Sequence, residues 1–256
     1  MRTAPKYLLA SYLVLLLSCE KAMEPEELVL SRADYKESLY GFWLGQCIAN
    51  WTGLVTEMDK IGSIGEIQTG PFYTREDWGK PDQPSIWGEG LPSELSETID
   101  YVLIGKDSVW GADDDTDIEY IYQELLLANQ TSILSPEQIR EGWLRHIREE
   151  EENFLWVSNQ TAFDLMREGM LPPETSDPAN NPNYMMIDAQ LTTEIFGLFA
   201  PGRPDVALKM ASLPIRTTAY EDAAWISEFY VSMHALASVA DANKPCLLYT
   251  SDAADD

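Results

Sequence analysis

Basic residues are scarce in this sequence: 17 Lys and Arg stand against 43 Asp and Glu in 256 residues, a formal charge of −26. So acidic a chain repels a polyanion, which excludes nucleic acid as a partner. Cysteine is scarcer still. Cys19, Cys47 and Cys246 sit in unrelated surroundings, so no disulfide framework is expected. No apolar run is long enough for a membrane-spanning helix, which needs about 18 residues or more. No internal repeat divides the chain, and nowhere do apolar and polar residues alternate over the length of a half-buried strand. What is present is 45% hydrophobic residues with eight Trp, enough to build a globular core rather than a disordered chain.

The two ends differ from the body. Arg2 and Lys6 precede the apolar stretch Tyr7 to Leu17, and Ser18 and Cys19 follow; a positive start, a short apolar run and a small residue make an export signal. Leu16-Leu17-Ser18-Cys19 resembles the lipobox of bacterial lipoproteins. That resemblance implies a signal peptide over residues 1–18, lipidation of Cys19 and an acidic tether over 19–33. The expectation is a protein outside the cytoplasm, lipid-anchored to a bacterial membrane (periplasmic side or cell surface) and touching it through that lipid only. At the other end, residues 246–256 resemble the translation of a transposase adapter used in sequencing libraries. The native body is therefore read as residues 34–245, incomplete at its C-terminus.

Within the body the pattern is helical. Asp34 to Ala49 carries Leu39, Phe42, Trp43 and Leu44 on roughly one face, and Thr116 to Asn129 carries Ile118, Ile121, Tyr122, Leu125 and Leu126 at close to helical spacing. Ser135-Pro136-Glu137-Gln138 has a capping Ser, Pro in the first turn and Gln three residues on, a strong helix start. Asp222 to Ala240 reads as a long buried helix with Trp225, Ile226, Phe229, Tyr230 and Met233. Residues 59–98 and 171–184 read as long irregular stretches, which in a compact domain are functional or disordered. The expected fold is all-α: a single compact helical domain with long irregular loops, acting as a monomer.

Chemistry concentrates at Asp113-Asp114-Asp115-Thr116-Asp117, immediately before a helix. Consecutive carboxylates repel one another, and a helix N-terminus offsets only part of that through its partial positive charge and free N–H groups. Hard divalent cations such as Mg²⁺, Ca²⁺ or Mn²⁺ would offset more; surplus acids on a solvated cap are the bland alternative. An EF-hand is a poor fit, because the turn position that needs Gly is Ile118 and the following helix would have to break.

Gly41-Phe-Trp-Leu-Gly45 through Gly53-Leu-Val-Thr-Glu57 resembles the opening helix and loop of ADP-ribosylglycohydrolases. Asp113-Asp114-Asp115-Thr116 resembles that family's Thr-Asp-Asp-Thr run. Ile187-Asp-Ala-Gln190, followed by Gly197 and Ala200-Pro-Gly202-Arg-Pro204, resembles a later segment of one family branch. The three blocks fall in the family's order across residues 34–240. The resemblance implies an all-helical fold and two Mg²⁺ ions that hold the hydroxyls of a ribose joined through its anomeric carbon. Glu57, Asp113, Asp114 and Asp115 would be metal ligands, and Glu57, Asp114 and Asp115 the catalytic groups that direct an activated water. Asp188 and Gln190 would touch the substrate, a small molecule or an ADP-ribosylated one. The implied reaction is hydrolysis of an ADP-ribosyl or related ribosyl or glycosyl bond through an oxocarbenium-like state. The alternative is a non-catalytic surface lipoprotein that binds a sugar or nucleotide.

Three departures stand out. Asn50 occupies a place where many members of the family have Asp, Thr217–Tyr220 lacks an expected His, and the family's later Asp-x-Asp-Thr run is missing. The expectation is half a metal site, weak Mg²⁺ binding and little or no turnover from this polypeptide. His146 reads as a solvent-exposed side chain of a mixed-charge helix, and His234 as a satisfied core histidine rather than a catalytic base. No Ser stands in a nucleophile-elbow context.

Overall fold

The computed structural model describes residues 28–60, 62–86, 96–100, 106–107, 113–148 and 153–240. The expected signal peptide, Cys19, most of the tether and residues 246–256 lie outside the described residues. The chain divides into two units, Met1–Tyr35 and Lys36–Asp256. In the first, Leu28, Val29 and Leu30 are exposed, and the Asp34 N–H donates to Ser31 Oγ at 3.4 Å.

The fold is all-α, as the periodicity predicts. Helix α1 covers Arg32–Gly53. In the second unit it is followed by α2 (Asp114–Asn129), α3 (Pro136–His146) and α4 (Val157–Arg167). Two single-turn helices come next, α5 (Asp188–Thr192) and α6 (Ile195–Phe199), then α7 (Pro204–Ile215) and α8 (Glu221–Ala237). Among the described residues the only strands are β1 (Ser63–Ile64) and β2 (Ile67–Gln68), paired antiparallel with Ser63 opposite Gln68. Two residues are too few to show a period of two, so sequence pattern cannot find this hairpin. No helix of the described residues is long and apolar enough to cross a membrane.

The core follows the helical spacing. Ile118, Ile121, Tyr122 and Leu125 of α2 are buried with Ile139 and Trp143 of α3, Ile195 and Phe196 of α6 and Ile215 of α7. Tyr122 stands between Trp143 and Phe196, with ring centroids 6.3 and 5.5 Å away. Each such side chain contributes about 1.5–3 kcal/mol by leaving water. Helix α2 runs unbroken from Asp114, so Asp115 and Asp117 belong to a helix and no calcium loop is formed.

Helix α1 docks on α2 through a polar ladder. Trp43 Nε1 donates to Gln123 Oε1 at 3.3 Å, the Gln46 amide donates to Glu119, and the Asn50 amide donates to Asp113. Positions on α1 rise while those on α2 fall, so the helices run antiparallel. Leu44, expected on the apolar face of α1, is 62% exposed; at 100° per residue it has rotated away from the stripe that Leu39, Phe42 and Trp43 share.

Helix α8 corrects one expectation. Its buried residues are Ala223, Ala224, Ser227, Val231 and Ala235, while Trp225, Ile226 and Phe229 are 62%, 48% and 57% exposed. The cause is the closeness of α6: a Cβ added at Gly197 would stand 2.5 Å from the Val231 carbonyl oxygen and 2.8 Å from the Ala235 nitrogen. Backbones that close admit only small side chains between them, so the large apolar ones point outward.

The proline-rich stretch 171–184 is ordered by buried polar contacts. Thr175 Oγ1 donates to the Thr217 carbonyl at 2.7 Å, and Asn181 Nδ2 to the Thr175 carbonyl at 3.2 Å. In the described part of 59–98, Tyr73 donates to Asp82 at 2.9 Å, and Gln83 donates to the Asp59 carbonyl at 2.6 Å.

Candidate active-site cleft

The site begins with the start of α2. Asp113 is the N-cap: its Oδ1 accepts the Thr116 N–H at 3.0 Å, and its other oxygen takes the Asn50 amide from α1. One carboxylate thus ends one helix and joins it to another. Asp114 turns inward and is 6% exposed. Its Oδ2 accepts the Trp156 N–H at 2.6 Å and Asn159 Nδ2 at 2.7 Å. Helix α4 needs this, because its N-cap is Trp156, whose side chain makes no capping bond. Asp188 supplies the rest from α5. Buried to 1% exposure, it accepts the Ser158 and Asn159 N–H groups on Oδ1 at 3.1 and 2.8 Å. Two carboxylates from elsewhere therefore cap α4, and Asp188 Oδ2 is left buried without a partner.

Asp115 faces the other way, into a cleft of about 380 Å³ lined by Gln46, Asn50, Glu57, Asp113, Asp115 and Glu194, among others. Such a volume suits a small-molecule site. No Lys, Arg or His side chain is among its described lining residues. Burial first, and then Asp114 and Asp113, push the Asp115 carboxyl up to about 8. Burial raises Glu194 to about 7. Glu57 stands at the exposed rim, and even there loss of hydration, then the charges of Asp113 and Asp114, raise its pKa. Behind the cleft wall Glu119 is fully buried and held well above the usual carboxylate range by burial; it accepts the Ile195 N–H at 2.8 Å.

Of the residues singled out by sequence, Glu57, Asp113 and Asp115 meet at this cleft, while Asp114 backs it from the interior. Asp188 and Gln190 are not among its lining residues. Gln190 is half-buried, and its N–H donates to the Ile187 carbonyl at 2.8 Å. Glu119 and Glu194 were not foreseen. Glu119 carries a usable signal, an acid one turn after Asp115 on an otherwise apolar face; Glu194 carries none, because an irregular turn brings it in. His146 is exposed as expected. His234 is half-buried, with Nδ1 3.0 Å from the Tyr230 carbonyl and Nε2 3.9 Å from Glu194 Oε2.

The donor set fits a hard divalent cation. It is oxygen-only and carries excess negative charge, and Asn50 Oδ1 is a buried acceptor with no partner. The fit is one of chemistry: among the described residues no group of three or more His, Cys, Asp or Glu side chains is arranged around one point as a metal cage.

The family model described as ADP-ribosylglycohydrolase matches residues 31–254, beginning close to the expected tether boundary and running on past Pro245. No curated protein and no solved structure matches the chain.

Proposed function

The chain belongs to the ADP-ribosylglycohydrolase family, and from that premise we propose that it is a magnesium-dependent hydrolase of an ADP-ribosyl or related ribosyl or glycosyl bond. Membership supports a glycosyl hydrolase in general; the bond and the ion are our reading. One observation carries it: a cleft lined by Glu57, Asp113, Asp115 and Glu194, without a basic side chain among its described lining residues and with the orphan acceptor Asn50 Oδ1. Glu57, Asp113 and Asp115 would hold the ions, with Asn50 Oδ1 beside them. Bound there, Mg²⁺ would polarise sugar hydroxyls and cancel the repulsion among the carboxylates.

The chain's own residues do the rest. Asp113 is fixed by its cap bond and by Asn50, so its position costs little reorganisation on binding. Asp114, braced by Trp156 and Asn159, sets the direction of the Asp113–Asp115 turn. Glu57 at the rim would orient the attacking water and take its proton. Negative charge around the anomeric carbon stabilises the oxocarbenium-like state.

The test is sugar release from ADP-ribosylated and simple ribosyl substrates by the chain as its source locus encodes it. We expect turnover with added Mg²⁺ that is abolished by EDTA and by D115N. Saturable binding of a nucleotide or sugar with no turnover in any metal would replace the hydrolase with the non-catalytic binder. We also propose export and anchoring through lipid on Cys19, supported by Arg2, Lys6 and Leu16-Leu17-Ser18-Cys19. Labelling with a radioactive fatty acid should be lost in C19A.

A further inference from the structure

The hydrolase reading leaves one carboxylate of the cleft without a task. Resting on that reading, we propose that Glu194 is the general acid that protonates the departing group, and that His234 is its positioning residue. Glycoside cleavage asks for two carboxyl groups in different environments, one for the water and one for the leaving group. Glu57 comes from the turn after α1, and Asp113 and Asp115 from the start of α2. Glu194 comes from a third place, the junction of α5 and α6, and reaches the same cleft.

The surroundings of Glu194 suit a proton donor. Its side chain is 15% exposed, close to solvent yet mostly out of it. The charged groups facing it are Asp115 and Glu119 of α2 and His234 of α8. Burial raises its carboxyl to about 7, so about half of the molecules carry that proton at neutral pH. His234 is oriented for one purpose. A carbonyl oxygen can only accept, so the contact with Tyr230 keeps the ring proton on Nδ1 and turns a bare Nε2 toward Glu194. The Phe42 ring packs edge-on against the imidazole, with ring centroids 6.1 Å apart.

In the step itself the bond from the anomeric carbon to the leaving oxygen or nitrogen breaks, and its electron pair departs with that atom. The Glu194 carboxyl proton is transferred to the same atom. The water oxygen bonds to the anomeric carbon and gives its proton to Glu57. Glu57 then releases its proton to solvent and Glu194 regains one from it.

The experiment compares wild type, E194Q and H234Q on two ribosides, one releasing 4-nitrophenol and one releasing a simple alcohol. The nitrophenolate leaves without help. E194Q should therefore lose about 10²–10⁴-fold on the alcohol riboside, the usual worth of a general acid, and less than about 10-fold on the nitrophenyl one. H234Q should shift the alkaline limb of the kcat/KM profile with a smaller loss in kcat. By NMR, E194Q should also move the His234 titration midpoint, a readout independent of turnover. Equal losses on both substrates, or an unmoved His234, would overturn the assignment of Glu194 while leaving the hydrolase standing. Wild type inert on every substrate would sink the hydrolase reading and the acid role together.

Discussion

The starts of α2 and α3 are both well-capped helix N-termini, and they could hardly differ more. At α3, Ser135 accepts the Gln138 N–H at 3.2 Å and Gln138 returns a bond to the Ser135 N–H at 2.8 Å. Every partner lies within four residues. Glu137 is held below its usual pKa by backbone and Ser135 hydrogen bonds. At α2 one capping bond is local, from the Thr116 N–H to Asp113, but the other partners of the carboxylates are 42 to 63 residues away, at Trp156, Asn159 and Asn50. The pKa values of Asp114 and Asp115 are raised, chiefly by burial. One terminus uses acid to favour a helix; the other gathers more acid than a helix needs and buries it. Excess of that kind is expected where charge serves chemistry rather than folding.

The largest effect should come from removing the brace. D114A leaves the Trp156 N–H and the Asn159 amide without an acceptor in a buried place, and should cost about 3 kcal/mol in urea unfolding. A loss under about 0.5 kcal/mol would mean that α4 does not depend on it. Next comes pH. The folded pKa of Asp115, about 8, lies above the ~3.9 of an unfolded Asp. The folded chain thus keeps a proton that the unfolded chain releases, and stability in EDTA should fall as pH rises from about 4, levelling off above about 8. D115N should flatten that slope, and added Mg²⁺ should restore stability at pH 8 if the cleft binds it; an unchanged slope in D115N would place the charge elsewhere.

Smaller again is N50D, which swaps the donor to Asp113 for a like charge. It should lower stability by about 1–2 kcal/mol at pH 8, with recovery near pH 4 as the introduced carboxyl protonates. S135A at α3 should cost about 1 kcal/mol and, unlike the α2 variants, do so equally at both pH values and with or without Mg²⁺. E137Q should change little. If S135A proved as sensitive to pH and metal as N50D, the contrast between the two termini would collapse.

Much of this was legible in the residues. The face of α2 and the Ser135 cap follow from local spacing, and the meeting of Glu57 with Asp113 and Asp115 is what the family resemblance implies. Other features needed distance information that a local pattern lacks. Nothing near Trp156 announces that α4 borrows its cap from Asp114 and Asp188. The apolar run of α8 looked buried all round because composition cannot tell which side another backbone will approach. Asn50 read as a departure where the family often has Asp; in place, its amide is the donor that ties α1 to Asp113. Glu194 was invisible because an irregular turn has no period to read.

Gly197 gives that turn a further meaning. It lies three residues after Glu194, and its backbone rests against the same stretch of α8, Val231 to Ala235, that carries His234. A hydrogen atom in place of a methyl group therefore sets the spacing between carboxyl and imidazole, much as a shim sets the gap between two machined parts. G197A would drive its methyl against the His234 Cβ, 2.6 Å from where it would stand, and against the α8 backbone, and by prying the helices apart it would detune the pair.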